Sequence, residues 1–267
     1  MIRSASRSSL FAAALVACAT PCLTAQGSAT PRTGTDVLEA MRAAYAGKWY
    51  HTLTFTQKTT MRGPDGNERQ QTWYETLAHT PAAGTKLRID FGELAAGNGV
   101  IFTPDSSFRV RGGQPQPPTA SGNEFLPLIE GVYVQPVAKT VKELDQMKVD
   151  MSRVRTGTWE GKPVWIVGAS SASDTTSPQF WVDTERKLLQ RMVIPGPGGQ
   201  PPLDVHLGKY EAVGKGAWLA TKIEMFQGGV RRQAEEYSDW KVDVPVDPAM
   251  FDVAKWSTAP HWAKPAK

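Results

Sequence analysis

Short segments of alternating apolar and polar residues recur along most of the chain, and this pattern restricts the fold more than any other feature. Residues 86–91 read KLRIDF, with three apolar side chains on one side of the alternation and two charged ones between them. A period of two predicts a strand with two different faces. Glycine, proline, aspartate or asparagine separates these segments at hairpin spacing, which is typical of antiparallel sheets. We count roughly ten to twelve such strands and predict a barrel or an open curved sheet.

Two segments have a different periodicity and predict helices. Residues 35–48 (TDVLEAMRAAYAGK) place apolar side chains three and four positions apart, and Thr35 can cap the helix N-terminus. Residues 136–147 (PVAKTVKELDQM) have the same spacing and follow a polar, proline-rich loop at 112–122. An otherwise β protein is therefore expected to carry a first helix and a central loop-and-helix insertion.

The N-terminal residues have the composition of an export signal. Residues 1–7 contain two arginines and no acid, and residues 8–17 (SSLFAAALVA) are small and apolar. This run is too short to span a bilayer, which takes about 20 residues in a helix. Cleavage after Ala25 would leave a mature chain without cysteine. Alternatively, Leu15-Val16-Ala17-Cys18 resembles a lipobox, in which Cys18 would be acylated and anchor the protein to the envelope. Both outcomes place the protein outside the cytoplasm.

We divide the chain into a signal peptide at 1–25, a flexible segment at 26–34, one domain at 35–255 and a C-terminal tail at 256–267. The formal net charge is +4, and removal of the two leader arginines lowers it to +2 (4 − 2). A nearly neutral chain lacks the basic surface that nucleic acid requires. We therefore expect no nucleic-acid partner, and we expect a monomer.

No local motif predicts catalysis or metal binding. None of the four histidines lies at a recognised ligand spacing from another. No G-x-S-x-G nucleophile elbow occurs, and a cysteine nucleophile is excluded if the leader is removed. The glycine-rich residues 196–199 lack the following Lys-Ser/Thr of a phosphate loop. We expect no catalytic residue, no metal and no cofactor.

An acidic run near the C-terminus is the strongest candidate for chemistry. Residues 235–253 (EEYSDWKVDVPVDPAMFDV) contain six carboxylates. Glu235 and Glu236 are adjacent, so the pleat of a strand sends them to opposite faces and they cannot act as a pair. We interpret the run as the water-facing side of the last strand, with Tyr237 and Trp240 as its apolar anchors.

Large apolar residues are abundant, with nine Trp, nine Phe, six Tyr and eight Met. At 163–168 and 179–183, both faces of a predicted strand carry such groups. Antiparallel strands with one solvated face alternate more cleanly. The sheet is therefore covered on both faces, or it lines a cavity. An ordinary core would explain any single aromatic residue, whereas the whole set favours an apolar ligand site.

Several motifs follow one another in a distinctive order. A leader and a first helix precede a strand with Phe55-Thr56-Gln57, then the KLRIDF strand at 86–91 and the central insertion. The strand Phe180–Asp183 is followed by LLQRM, and the pattern closes on D-P-x-M-F at 247–251. Over about residues 35–253, this order resembles the outer-membrane lipoprotein-sorting protein superfamily, the LolA-like (LolA, LolB and LppX type) periplasmic carriers.

The resemblance implies a mainly β (α+β) fold, a single unclosed antiparallel β-barrel of about eleven strands whose helices lid an apolar cavity. Residues 35–48 and 125–147 would form the lid. Proteins of this kind hold acyl chains without chemistry. We therefore predict a periplasmic, noncatalytic binder or carrier of lipids or lipoproteins that acts in outer-membrane trafficking, with envelope proteins as further partners. The alternative is a membrane-anchored structural or sensing module that binds proteins through its sheet.

The alternation predicts which side chains face this cavity and bind the ligand. They are Leu53, Phe55, Leu87, Ile89, Phe91, Phe102, Val164, Ile166, Met192, Ile194, Leu207, Ile223 and Met225. Burial of an acyl chain would contribute about 0.8 kcal/mol per CH₂ group. The resemblance also implies an arginine that contacts the lid, and Arg62, Arg88 and Arg109 are the three candidate positions.

Overall fold

One antiparallel sheet organises the part of the chain that the structure describes, which is Met1 and residues 30–263 of a computed structural model. The predicted signal peptide, its cleavage site and Cys18 lie outside these described residues. Within residues 30–263 the sheet has thirteen strands. The strands are β1 Thr52–Arg62, β2 Glu68–Thr80, β3 Gly84–Phe91, β4 Gly99–Phe102, β5 Ser107–Arg111, β6 Gln114–Pro115, β7 Val154–Trp159, β8 Lys162–Val167, β9 Gln179–Asp183, β10 Leu189–Ile194, β11 Leu203–Val213, β12 Ala217–Gln227 and β13 Val230–Val242.

The strand order shows that the sheet is open. It runs β6-β5-β4-β3-β2-β1-β13-β12-β11-β10-β9-β8-β7, so two meanders join where β1 pairs with β13. The strands at the two edges, β6 and β7, are consecutive in the chain, and the central insertion connects them. The predicted mainly β, unclosed fold is confirmed, with thirteen strands in place of about eleven.

The two segments that broke the strand pattern form α1 Gly34–Ala44 and α3 Val137–Gln146, as predicted. A π-helical turn Pro127–Gly131 and a short helix α2 Val132–Val134, which the periodicity did not predict, directly precede α3. We call α1 and residues 125–146 together the lid. None of the helices in residues 30–263 is long and apolar enough to cross a membrane.

Thr33 is the N-cap of α1 and lies two residues before the predicted cap, Thr35. Its Oγ1 accepts a 3.2 Å hydrogen bond from the Asp36 N–H, and an Asp36 carboxylate oxygen accepts a 2.9 Å bond from the Thr33 N–H. This reciprocal capping box requires an acid three positions after the cap. Thr33 has Asp36 at that position, whereas the prediction of Thr35 placed Asp36 in the first turn without considering it as the partner of the cap.

The two faces of the sheet are covered by different parts of the chain. We call the face that carries Leu87 and Ile89 the inner face, and it packs against the lid, whose residues Val37 and Leu38 are fully buried. The opposite, outer face of β3 is covered by the residues that follow β13. Trp256 is 3% exposed there and packs with Ile101 and Val110.

The C-terminal residues are therefore part of the folded domain, and the predicted tail from residue 256 is wrong as far as residue 263. His261 is buried, with Nε2 3.1 Å from Asp90 Oδ2. Trp262 donates a 2.9 Å hydrogen bond to Thr76. The histidine and aromatic side chains of this segment pair with polar groups on the outer face of β2 and β3.

Candidate ligand-binding cavity

An apolar cavity lies between the lid and the inner face of the sheet. Its wide part has a volume of about 380 Å³, within the range of small-molecule sites. A narrow part of about 60 Å³ adjoins it toward α2. The two parts share six lining residues, namely Glu75, Leu87, Ile129, Leu207, Ile223 and Tyr237.

Ten of the thirteen predicted ligand-binding residues line this cavity. They are Leu53, Phe55, Leu87, Ile89, Phe91, Phe102, Met192, Leu207, Ile223 and Met225. In β1, β3, β11 and β12 apolar and polar residues alternate at these positions, so a period of two places the apolar side chains on the inner face, whereas β4 and β10 carry apolar residues on both faces. Their contact with a ligand stays a prediction.

The other three predicted residues lie elsewhere. Val164 and Ile166 pack on the outer face with Trp159 and Trp181. In β8 the residues of both faces are apolar, so alternation does not tell which set points inward. Ile194 is buried in the main core but lines neither part of the cavity.

Two buried carboxyl groups at the wide part were not predicted. Glu75 of β2 and Glu235 of β13 are each 6% exposed, and both line this part of the cavity. Their strands flank β1, where Phe55 pairs with Glu75 and Thr59 with Glu235. The interpretation of the acidic run as water-facing is therefore wrong for Glu235, although the neighbouring Glu236 is exposed.

The two carboxyl groups differ in their hydrogen bonds. Glu235 accepts a 2.6 Å hydrogen bond from the Gln233 amide and a 2.8 Å bond from the Tyr237 hydroxyl. Among residues 30–263, no group donates a hydrogen bond to the Glu75 carboxyl. The alternation of polar residues at 233, 235 and 237 was the sequence feature that could have located Glu235 on the inner face.

Burial dominates the protonation of both groups. Burial raises the pKa of Glu75 well above its usual range, and the nearby Glu235 raises it further. Burial also raises the pKa of Glu235, while the hydrogen bonds from Tyr237 and Gln233 act in the opposite direction. Because removal from water disfavours the charged form, Glu75 is the carboxyl group that holds its proton to higher pH.

A third buried carboxyl group, Glu130, lies in the lid beside the narrow part. It accepts hydrogen bonds from Trp49 Nε1 at 2.8 Å and from the Tyr50 hydroxyl at 2.6 Å. Burial raises the pKa of Glu130 to about 7, although these two hydrogen bonds lower it. The Trp49 ring also stacks on Tyr133 of the lid, with centroids 3.7 Å apart.

The three candidate arginines occupy different places. Arg109 is exposed and lines the edge of the wide part. Arg88 points to the outer face, where it is buried, and Arg62 is exposed at the end of β1. Arg42 of α1, which was not among the candidates, donates a hydrogen bond to the backbone carbonyl of Gln135 in the lid.

The cavity is suited to binding an apolar chain. Aromatic and aliphatic side chains form most of its wall, and the polar groups are few. Among residues 30–263, no group of three or more His, Cys, Asp or Glu side chains could hold a metal ion. The arrangement is typical of sites that bury a ligand in an apolar environment.

Solved structures share this architecture. A structure described as an outer membrane lipoprotein-sorting protein domain, from Vibrio parahaemolyticus, matches with a TM-score of 0.59 and 10% identity over 84% of this chain and 98% of that one. A DUF1329 family protein from Desulfovibrio piger matches with a TM-score of 0.56 and 13% identity over 82% of this chain and 95% of that one. The chain has the fold of the outer membrane lipoprotein-sorting protein domain.

This result confirms the fold that the order of motifs predicted. No family model and no curated protein sequence matches the chain. At identities of 10% and 13% the similarity establishes the fold alone, so the ligand has to be argued from the cavity.

Proposed function

We propose that the protein is a noncatalytic binder or carrier that shelters acyl chains of lipids or lipoproteins in the cavity between lid and sheet. The observation that supports this function is the apolar wall of the cavity, to which both the lid and the inner face of the sheet contribute. Each CH₂ group moved from water into such an environment contributes about 0.8 kcal/mol. An acyl chain is therefore bound through its length, without a reaction.

The wide part is the entrance for the chain. The exposed Arg109 and the half-buried Asn123 line it, so this part reaches the surface beside the lid. The narrow part extends inward past Leu207 and Ile223 to the buried Glu130. An acyl chain would enter beside Arg109 and extend toward α2.

The predicted export signal at residues 1–25 supports a periplasmic location and a role in outer-membrane lipid or lipoprotein trafficking, with envelope proteins as exchange partners. Acylation of Cys18 would instead make the protein an anchored envelope module. The intact mass of the mature protein distinguishes the two: a chain beginning at Gln26 supports the soluble carrier, and a diacyl adduct on Cys18 supports the anchored form.

A variant in which a larger side chain fills the cavity tests the proposed lipid binding directly. Leu207 lines both parts, and the larger ring of Leu207→Trp would occupy their junction. The matched control is Gln70→Trp, an exposed position of β2. Native mass spectrometry with myristoyl lysophosphatidylcholine measures the bound lipid. We expect one lipid per wild-type or control molecule and at least about tenfold weaker binding to Leu207→Trp, since lost chain burial of about 1.4 kcal/mol has this effect. Equal binding by Leu207→Trp, or none by the wild type, would refute the proposal.

A further inference from the structure

The buried carboxyl groups in the wide part are not needed to bind an acyl chain. Glu75 is 6% exposed, lines both parts of the cavity and receives no hydrogen bond from any residue in 30–263. An unpaired polar group in an apolar environment destabilises the fold. Its carboxyl group points into the space that a ligand would fill, so its partner is expected on the ligand.

We propose that the cavity selects apolar chains that end in a protonated primary amine, and that Glu75 is the residue that pairs with the ammonium group. The inference rests on the proposed function and specifies its ligand class. The three donors of an ammonium group match the acceptor oxygens that Glu75 leaves unused.

The charges around Glu75 favour a cation over an anion. Glu235 faces the same space from β13, and its oxygens already accept from Gln233 and Tyr237. A carboxylate or phosphate placed beside Glu75 would oppose the ionisation of both acids and would be repelled by either of them once ionised. An ammonium group, in contrast, is attracted by both acids in their ionised form, and a buried charge is tolerated when it is paired.

No basic side chain inside the cavity competes for Glu75. Among the described residues, neither part is lined by a lysine or a histidine, and Arg109 of β5 is exposed at the edge. The remaining titratable groups surround the narrow part. They are Glu130, which is bonded to Trp49 and Tyr50, and three tyrosines, Tyr50, Tyr133 and Tyr210.

Aromatic rings near Glu75 support the same ligand. Trp73, Phe125 and Tyr237 line the wide part with it. The face of an aromatic ring attracts an ammonium group, most strongly where water is excluded. The rings thus add a second interaction that an alcohol or a carboxylic acid of equal chain length would lack.

Pairing with an ammonium group would change the protonation of Glu75. Burial raises the pKa of Glu75 well above its usual range, so the empty cavity favours the protonated carboxyl group. When an ammonium group binds, the Glu75 proton is released to solvent and the carboxylate remains as the partner. Binding of an amine should therefore release a proton, and binding of an alcohol should not.

Three ligands of equal chain length test the inference: dodecylamine, dodecanol and dodecanoate. Isothermal titration calorimetry in two buffers of different ionisation enthalpy gives both the affinity and the proton release. We expect dodecylamine to bind the wild type at least about tenfold more tightly than dodecanol, with proton release. Glu75→Gln should bind dodecylamine and dodecanol with nearly equal affinity and should release no proton. Its affinity for dodecanol should equal that of the wild type.

Control variants keep the test decisive. Glu236→Gln removes the exposed carboxyl group next to Glu235 in the sequence. This variant should keep the wild-type ratio of dodecylamine to dodecanol affinity and the wild-type proton release. Glu75→Met, of similar length, provides a second route if the Gln variant does not fold. Dodecanol or dodecanoate binding as tightly as dodecylamine would overturn the inference and leave the proposed function intact. Failure of all three ligands to bind would refute the proposed function itself.

Discussion

The Tyr50 hydroxyl donates a 2.6 Å hydrogen bond to Glu130 Oε1, and this contact joins the segment before β1 to the lid. Trp49 Nε1 donates to the other carboxyl oxygen at 2.8 Å. Tyr50 and Glu130 lie 80 residues apart in sequence, and both are buried. The lid is thus held to the segment before β1 by a carboxyl group whose charge state depends on pH.

Replacement of Glu130 with glutamine should remove part of the pH dependence of stability. Burial raises the pKa of Glu130 from 4.5 to about 7 on folding. Between these values the folded protein holds a proton that the unfolded chain has released. Stability is therefore highest below the lower pKa and falls as pH rises toward the higher one, by about 3 kcal/mol in total. Urea unfolding at several pH values in this interval measures the effect.

Glutamine keeps the local hydrogen bonds, because its oxygen can accept from Trp49 and the Tyr50 hydroxyl can accept from its amide. The exposed Glu236→Gln is the control and should retain the wild-type pH profile. Glu75 and Glu235 are present in all three proteins, so their own contributions cancel in the comparison. A Glu130→Gln profile identical to that of the wild type would contradict the role assigned to this group.

Gly99 of β4 is expected to tolerate no side chain. An added Cβ would lie 2.1 Å from the Ile89 carbonyl oxygen and 2.6 Å from the Trp256 ring. The carbonyl belongs to β3, which pairs with β4, so relief of the clash would distort the sheet. Gly99→Ala should lower the free energy of unfolding by about 1–3 kcal/mol.

Gly208 of β11 provides the matched comparison for this prediction. A Cβ there meets no atom within 4 Å, so Gly208→Ala should be neutral or stabilise by about 0.4–1 kcal/mol. Guanidinium unfolding of both variants measures the difference. Equal stabilities of the two alanine variants would show that β3 and β4 are not packed as described.

Local alternation predicted the inner face where one face of a strand is polar. In β3, charged residues separate Leu87, Ile89 and Phe91, so the apolar set could only face inward, and all three line the cavity. In β8 both faces are apolar, and the choice of Val164 and Ile166 selected the outer face. A strand covered on both sides does not reveal its orientation through periodicity.

The carboxyl groups of the cavity could not be predicted in the same way. Glu235 and Glu236 are identical in type and adjacent in sequence, yet one is 6% exposed and the other lies in solvent. Which of them is buried depends on the pairing of β13 with β1 and β12. Asp90 and His261 likewise meet across 171 residues of sequence, a separation that no local pattern reports.

Arg88 should be essential for stability because it neutralises a buried acid. It is 2% exposed, donates to both oxygens of Asp90 at 2.8 Å, and also donates to the carbonyls of Met250 and Trp256. Arg88→Met would leave the Asp90 charge buried with only His261 nearby. We expect a loss of about 3–5 kcal/mol, measured by urea unfolding at neutral pH.

The exposed Arg231 is the control for the loss of an ion pair. It lies 3.4 Å from Glu68 and 3.1 Å from Glu224, with 42% of its side chain exposed. Arg231→Met should cost at most about 1 kcal/mol, since surface ion pairs are weak. A similar loss in the two variants would argue against the burial of the Arg88–Asp90 pair.

Trp256 should be as important to stability as the residues of the sheet itself, although it follows the last strand. It is 3% exposed, its ring lies 3.8 Å from the Arg88 guanidinium carbon, and it packs with Ile101 and Val110. Trp256→Ala should lower the free energy of unfolding by about 3–5 kcal/mol, whereas Ser257→Ala, at an exposed neighbour, should change it by less than about 0.5 kcal/mol. Differential scanning calorimetry of both variants gives the comparison. A Trp256→Ala protein as stable as Ser257→Ala would mean that residues 256–263 are a tail after all.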